Sequence, residues 1–170
     1  AANLAASIAI SGKRVLLIDG DLRHPSIHQI YALPNEIGLS TVLAGETPGE
    51  TAIQPTIISQ LDIMAAGPVP AYPPEMLASP ELPALLDRLR EIYDCVLLDS
   101  TPLVNLSDGA LLAAYAEGVL VVVSSARTRY PDLQMALRVL EQMGAPVLGL
   151  VHNRSEDLAA VRWSGDAERA

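Results

Sequence analysis

Two aspartates that are one residue apart follow an apolar run in the stretch VLLIDGDLRHP. They are Asp19 and Asp21, and a second apolar run, CVLLD, ends in Asp99 in the same way. Carboxylates that crowd together repel each other and have raised pKa values unless a cation lies among them. Mg²⁺ in proteins takes one or two carboxylates, several waters and phosphate oxygens. The pattern therefore predicts a magnesium and nucleotide site.

Buried strands that end in aspartate are common, so the VLLD stretch before Ser100, which has the Walker B form, is a weak signal alone. By itself Asp99 is equally typical of a cap or loop acid. The LLIDGDLR stretch adds the pair Asp19 and Asp21, and together the two stretches favour nucleotide chemistry.

Strand and helix patterns alternate along the chain, which is typical of a doubly wound α/β sheet with mostly parallel strands. In such sheets ligands bind beyond the carboxyl ends of the strands, where Asp19, Asp99, Ser124 and Asn153 all lie. The predicted strands are 14–19, 61–67, 94–100, 118–124 and 146–153. The predicted helices are 1–11, 25–31, 38–44, 80–93, 107–116 and 131–144. The proline-rich stretch GPVPAYPPE is predicted to be a loop.

Composition limits the class of protein. The 170 residues suffice for one domain, and the net charge of −9 argues against nucleic acid as a partner. The single cysteine, Cys95, allows no internal disulfide or zinc cage, which favours a reducing, cytoplasmic location. No apolar run is long enough to span a bilayer. His24 and His28 are one helical turn apart, but no third ligand accompanies them, so a metal site there is disfavoured.

The acidic stretch resembles a known motif. LLIDGDLRHP resembles the Walker A′ motif of the bacterial protein-tyrosine kinases that regulate capsule and exopolysaccharide synthesis. GLSTVLAGE, AGPVPAYPPEML, YDCVLLDSTPL, GVLVVVSSARTR and GLVHNR resemble further stretches of that family in the same order. The resemblance covers residues 1 to about 155. It implies a P-loop NTPase-like kinase domain over 1–155, followed by a polar tail over 156–170.

The resemblance also implies roles for particular residues. Asp19, Asp21 and Asp99 would serve Mg²⁺ and the incoming tyrosine hydroxyl, and one Walker A′ acid would be the base, with the choice left open. Phosphoryl transfer needs positioning and charge neutralisation more than covalent chemistry.

Three further residues are expected at the nucleotide. Asn153 and Arg154 match positions near adenine in the family, so ATP and Mg²⁺ are the expected cofactors. Arg23 is open to two interpretations, since it could bind phosphate or form a salt bridge with Asp21.

The chain departs from the family in one major respect. No Gly-Lys-Ser/Thr sequence occurs in it, and Gly12-Lys13 is followed by Arg14. In the family, AANLA comes just after the P-loop, and the strand before that loop lies beside the Walker B strand. We therefore expect the chain to be a fragment without the first strand and the P-loop. Such a fragment is expected to bind ATP poorly and to be marginally stable.

The expected function is that of a tyrosine autokinase at the cytoplasmic face of the inner membrane. It would work with a polysaccharide co-polymerase, fused or separate, and form a homo-oligomer in its full-length form. No tyrosine follows Tyr130, so the phosphoacceptor would lie elsewhere. The alternatives are a ParA/MinD-type positioning ATPase, which shares the sheet and the Walker A′ acids, and a non-catalytic remnant that binds a partner.

Overall fold

The computed structural model describes residues 1–104, 107–124 and 127–154, so the predicted tail over 156–170 lies outside the described residues. The helices are α1 (Ala2–Ile10), α2 (Ile27–Ile30), α3 (Leu39–Leu43), α4 (Pro73–Leu77), α5 (Glu81–Arg90), α6 (Asp108–Ala113) and α7 (Tyr130–Gln142), with a 3₁₀ turn at Gly49–Ala52. The strands are β1 (Val15–Asp19), β2 (Ile53–Pro55), β3 (Leu61–Met64), β4 (Cys95–Asp99), β5 (Val119–Ser124) and β6 (Val147–Asn153).

The strands form two hydrogen-bonded sheets among the described residues. The first has the order β2-β3-β1-β4, and the second consists of β5 and β6. The pairs β1–β3, β1–β4 and β5–β6 are parallel, and β2 alone runs antiparallel, against β3. The prediction of a mostly parallel α/β fold is therefore confirmed.

Two details differ from the prediction. Strand β2 is not predicted from the sequence, because a strand of three residues that ends in Pro55 has no readable alternation. The stretch predicted as a proline-rich loop ends in helix α4, whose Pro-x-Glu-x-Leu sequence resembles a helix start of the family described above, and proline is well tolerated in a first helical turn. Strand β4 has a hydrogen-bonded neighbour on one side only, β1, within the described chain. Its other edge is where the resemblance implies a further strand.

Strand β1 is the centre of the core because it is buried on both faces. Leu16 and Ile18 pack with the apolar face of α5, where Leu82, Leu85, Leu86 and Leu89 are all buried. Val15 and Leu17 pack on the opposite face, with Ala5 and Ala9 of α1. Small residues on α1 let that helix approach the sheet closely, so that its amino end stays near the carboxyl edge of the strands.

The second sheet has its own small core. Val121 of β5 packs with Ala113, Leu140 and Ala145 from α6, α7 and the turn before β6. The opposite face is open, since Leu120 and Val122 are 43% and 59% exposed. No helix within the described residues is both long enough and apolar enough to cross a membrane.

A polar network stabilises the first sheet at the amino-terminal ends of its parallel strands. The Tyr93 hydroxyl donates to Asp62 Oδ2 at 2.8 Å, and the Arg14 guanidinium lies 5.4 Å from the centre of the Tyr93 ring. Burial, together with the hydrogen bond to Asp62 and its charge, raises the pKa of Tyr93 to about 12. Folding therefore favours the neutral form of the Tyr93 side chain over the ionised form.

We predict a specific alkaline instability from Tyr93. Its folded-state pKa of about 12 exceeds the ordinary value of 10, so its contribution is complete below pH 10 and is lost as the pH rises toward 12. Tyr93→Phe should cost about 1 kcal/mol at pH 7 and should lose less stability than the wild type between pH 10 and 12. Urea unfolding at several pH values checks this, and equal alkaline losses in both proteins would contradict it.

Candidate active site

The pairing of β1 with β4 brings the predicted acids to one edge. The two strands are in register, so Asp19 lies opposite Asp99 at their carboxyl ends. Burial raises the pKa of Asp99, and the nearby charges of Asp19 and Asp21 raise it further. The three carboxylates that the sequence singled out therefore do lie near one another.

Asp19 is fully buried and is bound by the backbone of its own loop. Its Oδ2 accepts N–H bonds from Ser26 and Ile27, both at 2.9 Å, and its Oδ1 accepts a longer one from Asp21 at 3.3 Å. These bonds close the loop after β1 and satisfy the first N–H groups of α2. Asp19 therefore has a clear structural role in addition to the predicted chemical one.

Asp21 is arranged differently and is partly exposed. Its Oδ1 accepts the backbone N–H groups of Arg23 at 3.1 Å and His24 at 2.9 Å, which makes a tight turn. Its Oδ2 has no hydrogen-bond partner among the described residues. Of the two Walker A′ acids, Asp21 is thus the one that offers a free carboxylate oxygen. Sequence spacing alone could not separate them.

Gly20, between the two acids, lies directly against the end of β4. Its N–H donates to the Asp99 carbonyl at 2.8 Å. A Cβ at this position would come within 2.6 Å of both that carbonyl oxygen and Leu112 Cδ1. Only glycine allows the acidic loop to approach this closely.

Arg23 binds an acid that the sequence analysis missed. Its Nε and Nη2 donate to the two carboxylate oxygens of Asp108 at 2.7 and 3.2 Å, and the side chain of Asp108 is fully buried. The predicted salt bridge exists, but its partner is Asp108 in the first turn of α6 instead of Asp21. The pKa of Arg23 is raised, first by the bond to Asp108 and then, against the opposing effect of burial, by the charges of Asp108, Asp21 and Glu75.

The amino end of α1 points toward the same acids. Ala1, at the start of this helix, lies near the carboxylate of Asp99. The first turn of α1 has no side-chain cap, so its N–H groups are available to an external acceptor. The amino end of a helix favours anions, which suits phosphate oxygens at this edge.

The donor set here suits Mg²⁺, which prefers carboxylate oxygens and retains waters. The free oxygen of Asp21 and the carboxylate of Asp99 can bind such an ion, whereas most of the hydrogen-bonding capacity of Asp19 is used by N–H groups. Within the described ranges, no three acidic, histidine or cysteine side chains form a ready-made metal cage. An ion would therefore need phosphate oxygens and water to complete its shell.

The residues predicted near adenine, Asn153 and Arg154, lie at the carboxyl end of β6 in the second sheet. Asn153 ends β6, opposite Ser124 of β5, and its Oδ1 accepts the N–H of Arg154 at 2.9 Å. Arg154 has a φ of 54°, which turns the chain sharply there. A hollow of about 190 Å³ opens at the ends of these strands, with Ser124 and His152 in its lining.

The GLSTVLAGE stretch contains helix α3, whose start packs tightly against the first sheet's carboxyl edge. Leu39 N–H and Ser40 N–H donate to the carbonyls of Ala65 and Ala66, both at 2.8 Å. A Cβ on Gly38 would come within 2.2 Å of the Ala65 carbonyl oxygen. This close backbone contact explains the need for glycine before Leu39.

Comparison with known proteins agrees with this geometry. The AAA domain family matches residues 1–143. Tyrosine-protein kinase YwqD of Bacillus subtilis is 36% identical over 153 residues, which cover 90% of this chain and 65% of that protein. The chain spans about a fifth of several longer tyrosine-protein kinases that it also matches.

Solved structures show the same relationship. The kinase domain of Escherichia coli tyrosine kinase ETK superposes with a TM-score of 0.87 at 31% identity, over 98% of this chain and 65% of that one. The septum site-determining protein MinD of Pyrococcus horikoshii, complexed with Mg-ADP, gives 0.75 at 27% identity, over 91% and 64%. The chain therefore belongs to the AAA domain family and, within it, to the bacterial tyrosine-protein kinases.

We predict that Gly20→Ala displaces the acidic loop. Backbone at the end of β4 blocks the added methyl group, so the variant should lose about 2 kcal/mol of unfolding free energy. Gly149→Ala is the matched control, because a Cβ there meets nothing within 4 Å. Thermal and urea unfolding of both variants give the comparison, and equal stability would refute the close approach.

Proposed function

We propose that this chain is the catalytic domain of a protein-tyrosine kinase that uses Mg-ATP. The observation that supports this most is the free Oδ2 of Asp21 beside Asp99, at the edge reached by the amino end of α1. The kinship with tyrosine-protein kinases supports tyrosine as the acceptor. The chain spans only part of those relatives, so the activity of the whole protein is part of the proposal.

The proposed chemistry divides the acids by their surroundings. Asp21, partly exposed and with one unengaged oxygen, takes the proton of the acceptor hydroxyl. The tyrosine oxygen then bonds to the γ-phosphorus of ATP, while the bond from that phosphorus to the β–γ bridging oxygen breaks and ADP leaves. Asp99 would bind Mg²⁺, and Asp19 would lie next to Asp99 on the neighbouring strand. The ion would neutralise charge on the phosphate oxygens.

The nucleotide would extend from the acids toward the second sheet. Asn153 and Arg154 are proposed to lie near adenine, as the resemblance implies. Arg23 keeps three N–H groups that Asp108 does not engage, so its predicted phosphate contact remains a proposal. The 170 residues contain no Gly-Lys-Ser/Thr sequence, and we propose that they bind ATP weakly without a P-loop.

The location and partners that we propose are based on the names of the relatives and on the net charge of the chain. We propose that the protein regulates capsule or exopolysaccharide synthesis at the cytoplasmic face of the inner membrane. Its partner would be a fused or separate polysaccharide co-polymerase, and the full-length form would be a homo-oligomer. A net charge of −9 supports a role without nucleic acid.

A positioning ATPase is the second candidate. The likeness to MinD with Mg-ADP, at a TM-score of 0.75, supports the same nucleotide chemistry with water in place of tyrosine. Higher identity and a higher TM-score with the ETK kinase domain favour the kinase. A remnant that binds only a partner is the third candidate, and nucleotide binding separates it from the other two.

We predict that Asp19→Asn and Asp21→Asn both reduce activity but differ in their effect on stability. In Asp21→Asn the amide oxygen can still accept from Arg23 and His24, so stability should hold while kcat falls at least a hundredfold. Asp19→Asn places an amide N–H₂ against N–H donors, so it should also lose about 2 kcal/mol of stability.

The measurement uses the full-length natural protein with Mg-ATP and a tyrosine-rich acceptor peptide, followed by phosphotyrosine blotting and thermal unfolding. The matched control is Asp87→Asn, a 72%-exposed acid of a surface ion pair on α5. Wild-type phosphotyrosine that survives Asp21→Asn would remove Asp21 from the chemistry. ATP hydrolysis without phosphotyrosine would favour the positioning ATPase, and absence of nucleotide binding would favour the remnant.

A further inference from the structure

We propose that the Arg23–Asp108 ion pair positions Asp21 for catalysis, so that Asp108 is a positioning residue of the site. This inference rests on the proposed function for its activity readout and on the backbone geometry for a second, independent readout. The pair joins residues that are 85 positions apart, and it ties the loop after β1 to the helix after β4.

Asp108 depends on Arg23 for its charge balance. Its side chain is completely buried, and Arg23 is the only ion-pair partner that it has within the described residues. Both carboxylate oxygens are engaged by the guanidinium fork, a geometry that lysine cannot reproduce. A buried charge that loses its partner is strongly destabilising, so the fork must keep this one position.

The fixed position of Arg23 is passed to Asp21 through the backbone. The N–H of Arg23 donates to Asp21 Oδ1 at 3.1 Å, and the neighbouring N–H of His24 donates at 2.9 Å. The other end of the turn is held by the 2.8 Å bond from Gly20 to the Asp99 carbonyl. Asp21 is therefore held between two anchors, and both belong to the segment that starts at the end of β4.

A double variant separates positioning from simple stability. Arg23→Met or Asp108→Leu alone should lower Tm by about 10 °C, because each change breaks a buried pair. Arg23→Met with Asp108→Leu replaces the pair by apolar groups and should restore Tm to within a few degrees. If the pair positions Asp21, kcat of this double variant stays at least tenfold low while KM for ATP changes less than threefold.

Hydrogen exchange provides the readout that does not depend on activity. In the full-length double variant, the backbone amides at positions 23 and 24 should exchange at least tenfold faster than in the wild type, with core amides of β1 unchanged. Arg129→Ala, which removes the exposed Arg129–Asp132 pair, is the control and should change neither measurement. Arg23→Lys should retain the positive charge. Its amides at positions 23 and 24 should nevertheless exchange as fast as those of the double variant, and its kcat should be reduced.

The outcomes distinguish the two proposals. A double variant with wild-type kcat and wild-type protection of the two amides would overturn the positioning role. A tenfold rise in KM for ATP at unchanged kcat and protection would make Arg23 a nucleotide ligand and would also overturn it. If the wild type lacks kinase activity, the proposed function fails, and the exchange data still decide whether the pair orders the Asp21 turn.

Discussion

The in-register pairing of β1 with β4 is the constraint on which the site depends. It sets Asp19 opposite Asp99, and every further contact of the acidic loop builds on that alignment. Because side chains alternate along a strand, a slip of one residue between β1 and β4 would leave the two acids on opposite faces of the sheet. The burial of β1 on both faces makes such a slip costly, so the hydrophobic core itself fixes the geometry of the acids.

Much of this arrangement could be predicted from the chain alone. Apolar runs that end in Asp19 and Asp99 predicted parallel strands with acids at one edge, because that rule depends only on strand direction. The division of labour between Asp19 and Asp21 was not predictable. Both are aspartates in one motif, and only the backbone donors around them show that one is bound from three sides while the other keeps an oxygen free.

Asp108 shows a different limit of sequence reasoning. It stands in SDGALL, a stretch that is typical of a helix start, and the local pattern gives no sign of a partner 85 residues away. Strand β2 escaped notice for a local reason, because three residues that end in Pro55 show no alternation. The contact that matters for Asp108 joins segments that are distant in the chain, whereas sequence patterns report mainly local preferences.

The charges around the acidic loop explain why it needs a cation. Arg23 lies near Asp21 and Glu75, but its side-chain hydrogen bonds go to the buried Asp108, and within the described residues none goes to the free oxygen of Asp21. The pKa of Asp99 is raised by burial and by the like charges of Asp19 and Asp21. The fold thus supplies an ion-pair partner for Asp108, which positions the loop, and none within the described residues for Asp21 and Asp99. A metal ion bound by Asp99 together with phosphate would supply positive charge at the edge where a nucleotide can enter, and it would leave the free oxygen of Asp21 to accept a proton.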